Sequence, residues 1–311
     1  MGINRSEWRK ASGTGRTMRG TDVPGESPAV HRRRLRVALR DLREERGLSA
    51  REVAAALGWQ PLSKLLRIER GMVDISVMDL CVLLHHYDVT DASWVDELIA
   101  LAGHARRDLY DQFRGVLPSD YLYYLQYESA ASVFRSFEPS LVPGFLQTRE
   151  YAENVFKART PIDSDTGLEQ KVELRMERQK LLSRPDGFRA VFIIDEAVLH
   201  HRIGGRDGML RQLGHLRTMS TRPNVDLRVI PFGYGAHLGL WGSFVVLEFP
   251  SPNNNELVFV EHQAGVETID GRAALAASYV ERFWALEDCC APPEEGGDII
   301  DRAINQLAEG A

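Results

Sequence analysis

Apolar residues recur at helical spacing from Leu35 to about Ala105, and the rhythm then changes. Leu35, Leu39 and Leu42 fall at i, i+4 and i+7, which makes one buried face of a helix over about Arg32 to Arg46. Gly47 ends it. Ser49 with Glu52 three residues on forms a capping box, so a second helix is predicted from Ala50 to Leu57, with Val53, Ala54 and Leu57 inward. Gly58 and Trp59 supply a turn, and Pro61 suits the first turn of a third helix. Leu65 and Ile68 anchor that helix, and Gly71 closes it. Ser76 and Asp79 open a fourth, with Val77, Leu80, Leu83 and Leu84 inward, and a fifth is predicted over Ala92 to Ala105.

Beyond about Asp108 the pattern mixes periods. Tyr121 to Leu125 reads as helix or strand. Strands are predicted over Val133–Glu138, Phe188–Ile194, Val225–Phe232, Phe244–Phe249 and Leu257–Glu261. Helices are predicted over Gln147–Lys157, Leu168–Leu182, Glu196–Arg202, Asp207–Ser220 and Arg272–Leu286. The fold class is therefore α+β and multidomain. Residues 1–28, rich in Gly, Ser, Thr and Arg, form a disordered tail; 29–106 form an all-α domain of five helices; 107–290 form a mixed α/β domain; 291–311 form a loose tail with one weak helix.

Charge sharpens this division. Residues 31–70 hold eleven Lys and Arg against five Asp and Glu, and residues 1–30 hold five against three. With a net charge of −6, the rest of the chain carries −14. A basic head suits phosphates and an acidic body repels them, which excludes a non-specific polyanion binder. No apolar run is long enough to span a membrane, and no secretory signal follows the basic N-terminus, so a cytoplasmic protein is expected. Cys81, Cys289 and Cys290 have no metal-ligand spacing and read as buried or free thiols.

Helix, tight turn and helix at this spacing make a helix-turn-helix, whose second helix lies in the major groove of duplex DNA. On the third helix, Gln60, Leu62, Ser63, Lys64, Leu66 and Arg67 are not needed for the core. Ser63 and Arg67 share a face. Arg67 is the candidate for a bidentate contact to a guanine edge, Lys64 for a phosphate, and Leu62 or Leu66 for a thymine methyl. Arg40, Arg43 and Arg70 add charge nearby.

Residues 35–87 resemble the phage-repressor (Cro/C1) or Xre class of helix-turn-helix domains. That resemblance implies that Arg43 of the first helix pairs with Glu69 at the end of the third, a structural role rather than base reading. Lys64-Leu65-Leu66-Arg67-Ile68-Glu69 departs from the family pattern in having Leu66 where serine is usual. Four further stretches extend the likeness: Pro143 to Ala152, Arg175 to Gln179, Asp195 to Leu199 and Ile230 to Phe232. As a set they resemble actinomycete regulators of the Scr1 antitoxin-like, WhiJ-like type. The implied function is a sequence-specific transcriptional regulator, a homodimer on double-stranded DNA, whose C-terminal domain binds a partner protein or small ligand. Regulators of this type are commonly encoded beside a small partner protein. The alternative reading is an antitoxin-like scaffold that mainly holds that partner, with DNA binding secondary.

No cofactor, metal site or catalytic activity is expected. Asp195 and Glu196 read as a helix cap, and the adjacent His200 and His201 cannot share one helix face as ligands do. His237 lies in the glycine-rich Gly233–Gly242 loop, which has no phosphate-cradling spacing and reads first as a connection between strands and second as a binding lip.

Overall fold

The computed structural model describes residues 28–59, 63–69, 73–104, 113, 117–159, 165–184, 187–249, 256–262, 265–270 and 274–310. The expected tail up to residue 27, the Pro61 helix start and the Gly71 cap lie outside them. The chain divides into two compact units at Ala130/Ala131.

The first unit is helical: α1 Pro28–Glu45, α2 Ala50–Ala56, α3 Ser63–Glu69, α4 Val77–His86, α5 Ala92–His104 and α6 Ser119–Ala130. Ser49 caps α2 reciprocally. Its hydroxyl accepts from the Glu52 N–H at 3.2 Å, and the Glu52 carboxylate accepts from the Ser49 N–H at 2.7 Å. Leu39, Val53, Leu65, Leu80, Leu83 and Leu98 are completely buried in one core. Each such leucine contributes about 1.5–3 kcal/mol by leaving water. Val77, predicted inward, is exposed like Met78 and Val82: it shares a face with Leu80 and Leu84 but stands at the first residue of α4, at the rim of the core.

Helix α6 settles Tyr121–Leu125 as helical and moves the boundary. The Tyr123 and Tyr127 hydroxyls both accept from Arg36 of α1, the latter at 2.9 Å, and Gln126 accepts from Arg32. The unit therefore ends at Ala130, not near residue 106. Long aromatic side chains that reach back to α1 draw in a helix which local pattern alone leaves ambiguous.

The second unit is built on six strands: β1 Val133–Glu138, β2 Arg189–Asp195, β3 Val225–Ile230, β4 Phe244–Glu248, β5 Glu256–His262 and β6 Gly265–Asp270. Their order is β3-β2-β1-β4-β5-β6, parallel from β3 to β1 and antiparallel from β1 to β6. Strand β2, between β3 and β1, is buried on both faces, as its uniformly apolar Ala190 to Ile194 run requires. Strand β6, Gly265–Asp270, is an addition to the predicted set: its Val266, Thr268 and Ile269 are β-branched, but the run is short and carries Glu267 and Asp270, and it takes its place by pairing with β5.

One face of the sheet is covered by α10 Ala274–Glu287, through Ala276, Val280, Phe283 and Leu286. The other carries an aromatic cluster in which Phe134 and Phe145 meet edge to face at 4.7 Å and Phe192 lies 5.7 Å from Phe134. Phe145 belongs to a 3₁₀ turn, Gly144–Leu146, that leads into α7 Arg149–Arg159. Helices α8 Asp165–Gln179 and α9 Gly205–Met219 hold this turn. Gln147 donates to the Val142 carbonyl at 2.8 Å and accepts from Arg175 at 3.0 Å. Gln179 donates to the Gln147 carbonyl at 2.7 Å, and Gln212 both donates to the Leu146 carbonyl and accepts from the Thr148 N–H at 2.7 Å. The Pro143–Ala152 and Arg175–Gln179 stretches therefore form a largely buried hydrogen-bond network that shapes a turn, with the Arg175 Nε left without a partner.

Two local expectations differ. Glu196–Arg202 is only a short 3₁₀ turn, Glu196–Leu199, because Gly204 and Gly205 follow with positive φ and start α9 anew. The segment 291–311 is no loose tail. Helix α11, Pro293–Glu309, buries Ile299, Ile300, Ala303 and Leu307 and packs on α9 and β3. Arg217 meets Asp301 at 3.2 Å, and Arg206 donates to the Leu307 carbonyl at 2.9 Å. Its apolar stripe at i, i+1, i+4 and i+8 is short and diluted by glycines, which hides it at the level of pattern.

Candidate nucleic-acid interface

Helix α3 is seven residues long. Leu65 and Ile68 plug into the core at 0% and 3% exposure, so the orientation of the helix is fixed from below. On the other side Arg67 is exposed, while Lys64 and Leu66 are half-buried. Ser63 begins the helix. Gln60, Leu62 and Arg70 lie outside the described residues.

The end of α3 is clamped to α1. The Arg43 Nε donates to the Glu69 carboxylate at 2.7 Å and its Nη2 donates to the other oxygen at 3.0 Å. Its Nη1 donates to the Leu48 carbonyl at 2.9 Å, in the turn before α2. One guanidinium thus ties three elements together. The Glu69 hydrogen bond raises the Arg43 pKa, against the opposing pull of burial. Two parallel bonds to a side chain that is 5% exposed make a geometry lysine cannot copy.

Lys64 is placed differently from a free phosphate contact. Its ammonium lies 4.3 Å from the centre of the Trp59 ring and donates to Asp79 at 3.0 Å. Burial works to raise the Asp79 pKa, but hydrogen bonds from Lys64 and Ser76 outweigh it and hold the carboxyl below the usual range. Asp79 and Ser76 are the capping residues of α4, so Lys64 braces α3 against that helix.

The positive charge of α1 is also partly spent inside. Arg34 donates to Glu97 at 3.3 Å, Arg36 packs on the Tyr123 and Tyr127 rings, and Arg32 lies 4.0 Å from Asp74. The surplus counted over residues 31–70 thus overstates what a duplex meets. Arg51, exposed on the first turn of α2, belongs with Arg67 in the outward set, and charge counting alone does not rank it.

Comparison with known proteins agrees with this geometry. Residues 34–97 match the family described as a helix-turn-helix domain. Residues 121–302, more than half of the chain, match the family described as a domain of unknown function (DUF5753). The chain belongs to the DUF5753 family. No curated protein and no solved structure matches it. The DUF5753 match opens within α6, ten residues ahead of the unit boundary at Ala130/Ala131.

In the DUF5753 region the polar candidates resolve into braces. Asp195 caps the turn after β2, accepting from the Ala197 N–H at 2.8 Å. Its second oxygen bonds Nε2 of His237 at 3.1 Å. The Nδ1 of His237 accepts from the Gly239 N–H at 3.2 Å, so the ring proton sits on Nε2 and points to Asp195. The His237 side chain is 1% exposed. His200 faces the Phe232 ring at 5.4 Å, and His201 bonds the Ser140 carbonyl at 2.9 Å. Among the described residues no group of three or more His, Cys, Asp or Glu is arranged to hold a metal ion, and no helix is long and apolar enough to cross a membrane.

Proposed function

We propose that this protein is an Xre-type, Scr1- and WhiJ-like transcriptional regulator that reads a DNA operator with α3 as a homodimer. The observation that carries the reading is Arg67. It is exposed on a helix whose underside is locked by Leu65 and Ile68 and whose end is clamped by the Arg43–Glu69 pair. Such a helix presents a guanidinium at low entropic cost, and a bidentate contact to guanine is its natural use. One helix of this length touches only a few base pairs, so two copies on paired half-sites supply the affinity an operator needs. In this reading Leu66 offers apolar contact to a thymine methyl, and Lys64 supports α3 rather than neutralising a phosphate.

We assign the C-terminal unit a partner-binding role without catalysis. What supports this is the use made of its polar groups: His237 is turned beneath its own loop to bond the partly buried Asp195, and the outer face of that loop is apolar. The test is selection of bound sites from a random duplex library with the full chain, followed by affinity measurement. Arg67→Ala should relax the preference at one position per half-site, whereas Lys64→Ala should leave the salt dependence of binding almost unchanged. A selected operator bound equally well by Arg67→Ala removes α3 as the reader.

A further inference from the structure

The connection from β3 to β4 exposes what a connection normally hides. From Val229 to Leu247 the chain contains no Asp, Glu, Lys or Arg. Within it Phe232 is 58% exposed, Tyr234 50%, Leu238 50%, Leu240 62% and Trp241 84%. The same loop turns its polar groups inward. His237 is bonded to Asp195, and the Phe232 N–H donates to the Glu196 carboxylate at 2.7 Å. Gly239 packs so closely that an added Cβ would lie 2.1 Å from the Phe137 ring. The ridge is therefore held in shape. A run of large apolar side chains kept rigidly in water is a feature of interaction surfaces, since each forgoes the burial that would stabilise the fold.

Charge selects the occupant. From Val229 to the end, the chain carries three Arg against thirteen Asp and Glu, and two cations that meet this stretch in the fold, Arg135 and Arg228, are paired with Glu248 and with Asp226 and Glu287. That stretch includes α10, on which the Leu238–Trp241 turn packs and which has its own exposed Leu275. Asp195 and Glu196 brace the loop from one side. On the other lie Cys289 and Asp288, which raise the Tyr234 phenol above its ordinary pKa, Cys289 most and Asp288 least. An acidic frame repels nucleic acid and anionic lipid. A second copy brings the same acidic frame, so self-association sets like charges together. A cationic segment with apolar anchors gains on both counts.

We propose that the Phe232–Trp241 ridge is the docking surface for a separate protein that offers an apolar segment flanked by Lys and Arg. This rests on the partner-binding reading of the C-terminal unit and gives it a place and a chemistry. The probes are a synthetic amphipathic Leu/Lys peptide, its Leu/Glu counterpart, and phosphatidylserine vesicles, each titrated into the full-length chain. The signal is the blue shift of tryptophan emission, with Trp241→Phe isolating the contribution of Trp241. The Leu/Lys peptide should saturate and shift Trp241. The double variant Leu240→Ser, Trp241→Ser should weaken it at least tenfold while operator binding stays unchanged. Trp241→Lys, the second variant, should do the same by repulsion. Binding of the Leu/Lys peptide undiminished by these variants overturns the surface and leaves the partner reading standing. No Leu/Lys binding, or equal binding of the Leu/Glu peptide or the vesicles, overturns the chemistry. A dimer in analytical ultracentrifugation that the double variant dissolves gives the ridge to a second copy instead. Failure to select any operator would sink the DNA-reading proposal and leave this one untouched.

Discussion

Helix α3 and the Phe232–Trp241 loop are built as opposites. The helix shows water its polar side and buries Leu65 and Ile68. The loop shows water Leu240 and Trp241 and buries His237. Each is nevertheless fixed by a buried polar pair, Arg43 with Glu69 in one and His237 with Asp195 in the other. The comparison teaches that orientation is set by which groups are satisfied inside, not by hydrophobicity alone. A paired guanidinium or a fully bonded imidazole can serve as an interior anchor, and the outer face is then left for recognition.

The comparison breaks most easily at its clamps. Arg43→Ala leaves the nearly buried Glu69 carboxylate uncompensated and should cost the first unit about 3 kcal/mol or more. Calorimetry checks this: a melting shift below about 2 °C, where several degrees per kcal/mol is usual for a unit of this size, would mean that α3 is held by its apolar underside alone. In the other region, Gly239→Ala forces a methyl into the Phe137 ring and should destabilise by about 1–3 kcal/mol. His237→Ala should follow closely, since Asp195 loses its donor. Both should alter the emission of Trp241; if neither does, the ridge is not held by its underside.

The outer faces should respond in kind and not in stability. Arg67→Ala should lower specific DNA affinity by about 1–3 kcal/mol and leave the urea midpoint in place. Lys64→Ala should cost below about 1 kcal/mol of stability, because the Lys64–Asp79 pair is partly exposed. Its pH dependence has a definite sign. The Asp79 pKa is depressed in the folded chain, so the stabilisation is full above the ordinary carboxylate pKa and fades as pH falls through the lowered value. The difference between wild type and Lys64→Ala should therefore shrink in acid, as denaturant titrations at neutral and acidic pH would record. Smallest of all, Trp241→Ser should change stability by less than about 0.5 kcal/mol, which separates a surface built for contact from one built for folding.

Much of the first unit was legible in the residues because its signals are local. A capping box, leucines at i and i+4, and glycines at turns act within one or two turns of chain, and Ser49, Leu39 and Gly47 do what their spacing implies. The strands were legible for the same reason, down to Val133–Glu138. The misses share a cause as well. Helix α11 stays weak until α9 and β3 supply a surface for Ile299 and Ile300, and β6 exists because β5 offers an edge. Lys64 and Arg36 look alike to charge counting as phosphate contacts, yet Trp59, Asp79 and two tyrosines claim them. The loop was legible as a connection between strands, with a binding lip as the lesser reading, but not as an apolar ridge, since which of its side chains face water depends on what packs beneath them.

By itself the order of residues determined helices α1 to α5 of the first unit, most of the strands and the outward place of Arg67, because period and capping operate over distances shorter than a turn or two. Only the tertiary structure decided which cations are already spoken for, where α6 and the C-terminal helix belong, and that five apolar side chains between β3 and β4 stay in water. Those outcomes depend on partners tens of residues away, and a one-dimensional pattern carries no record of which distant groups will meet.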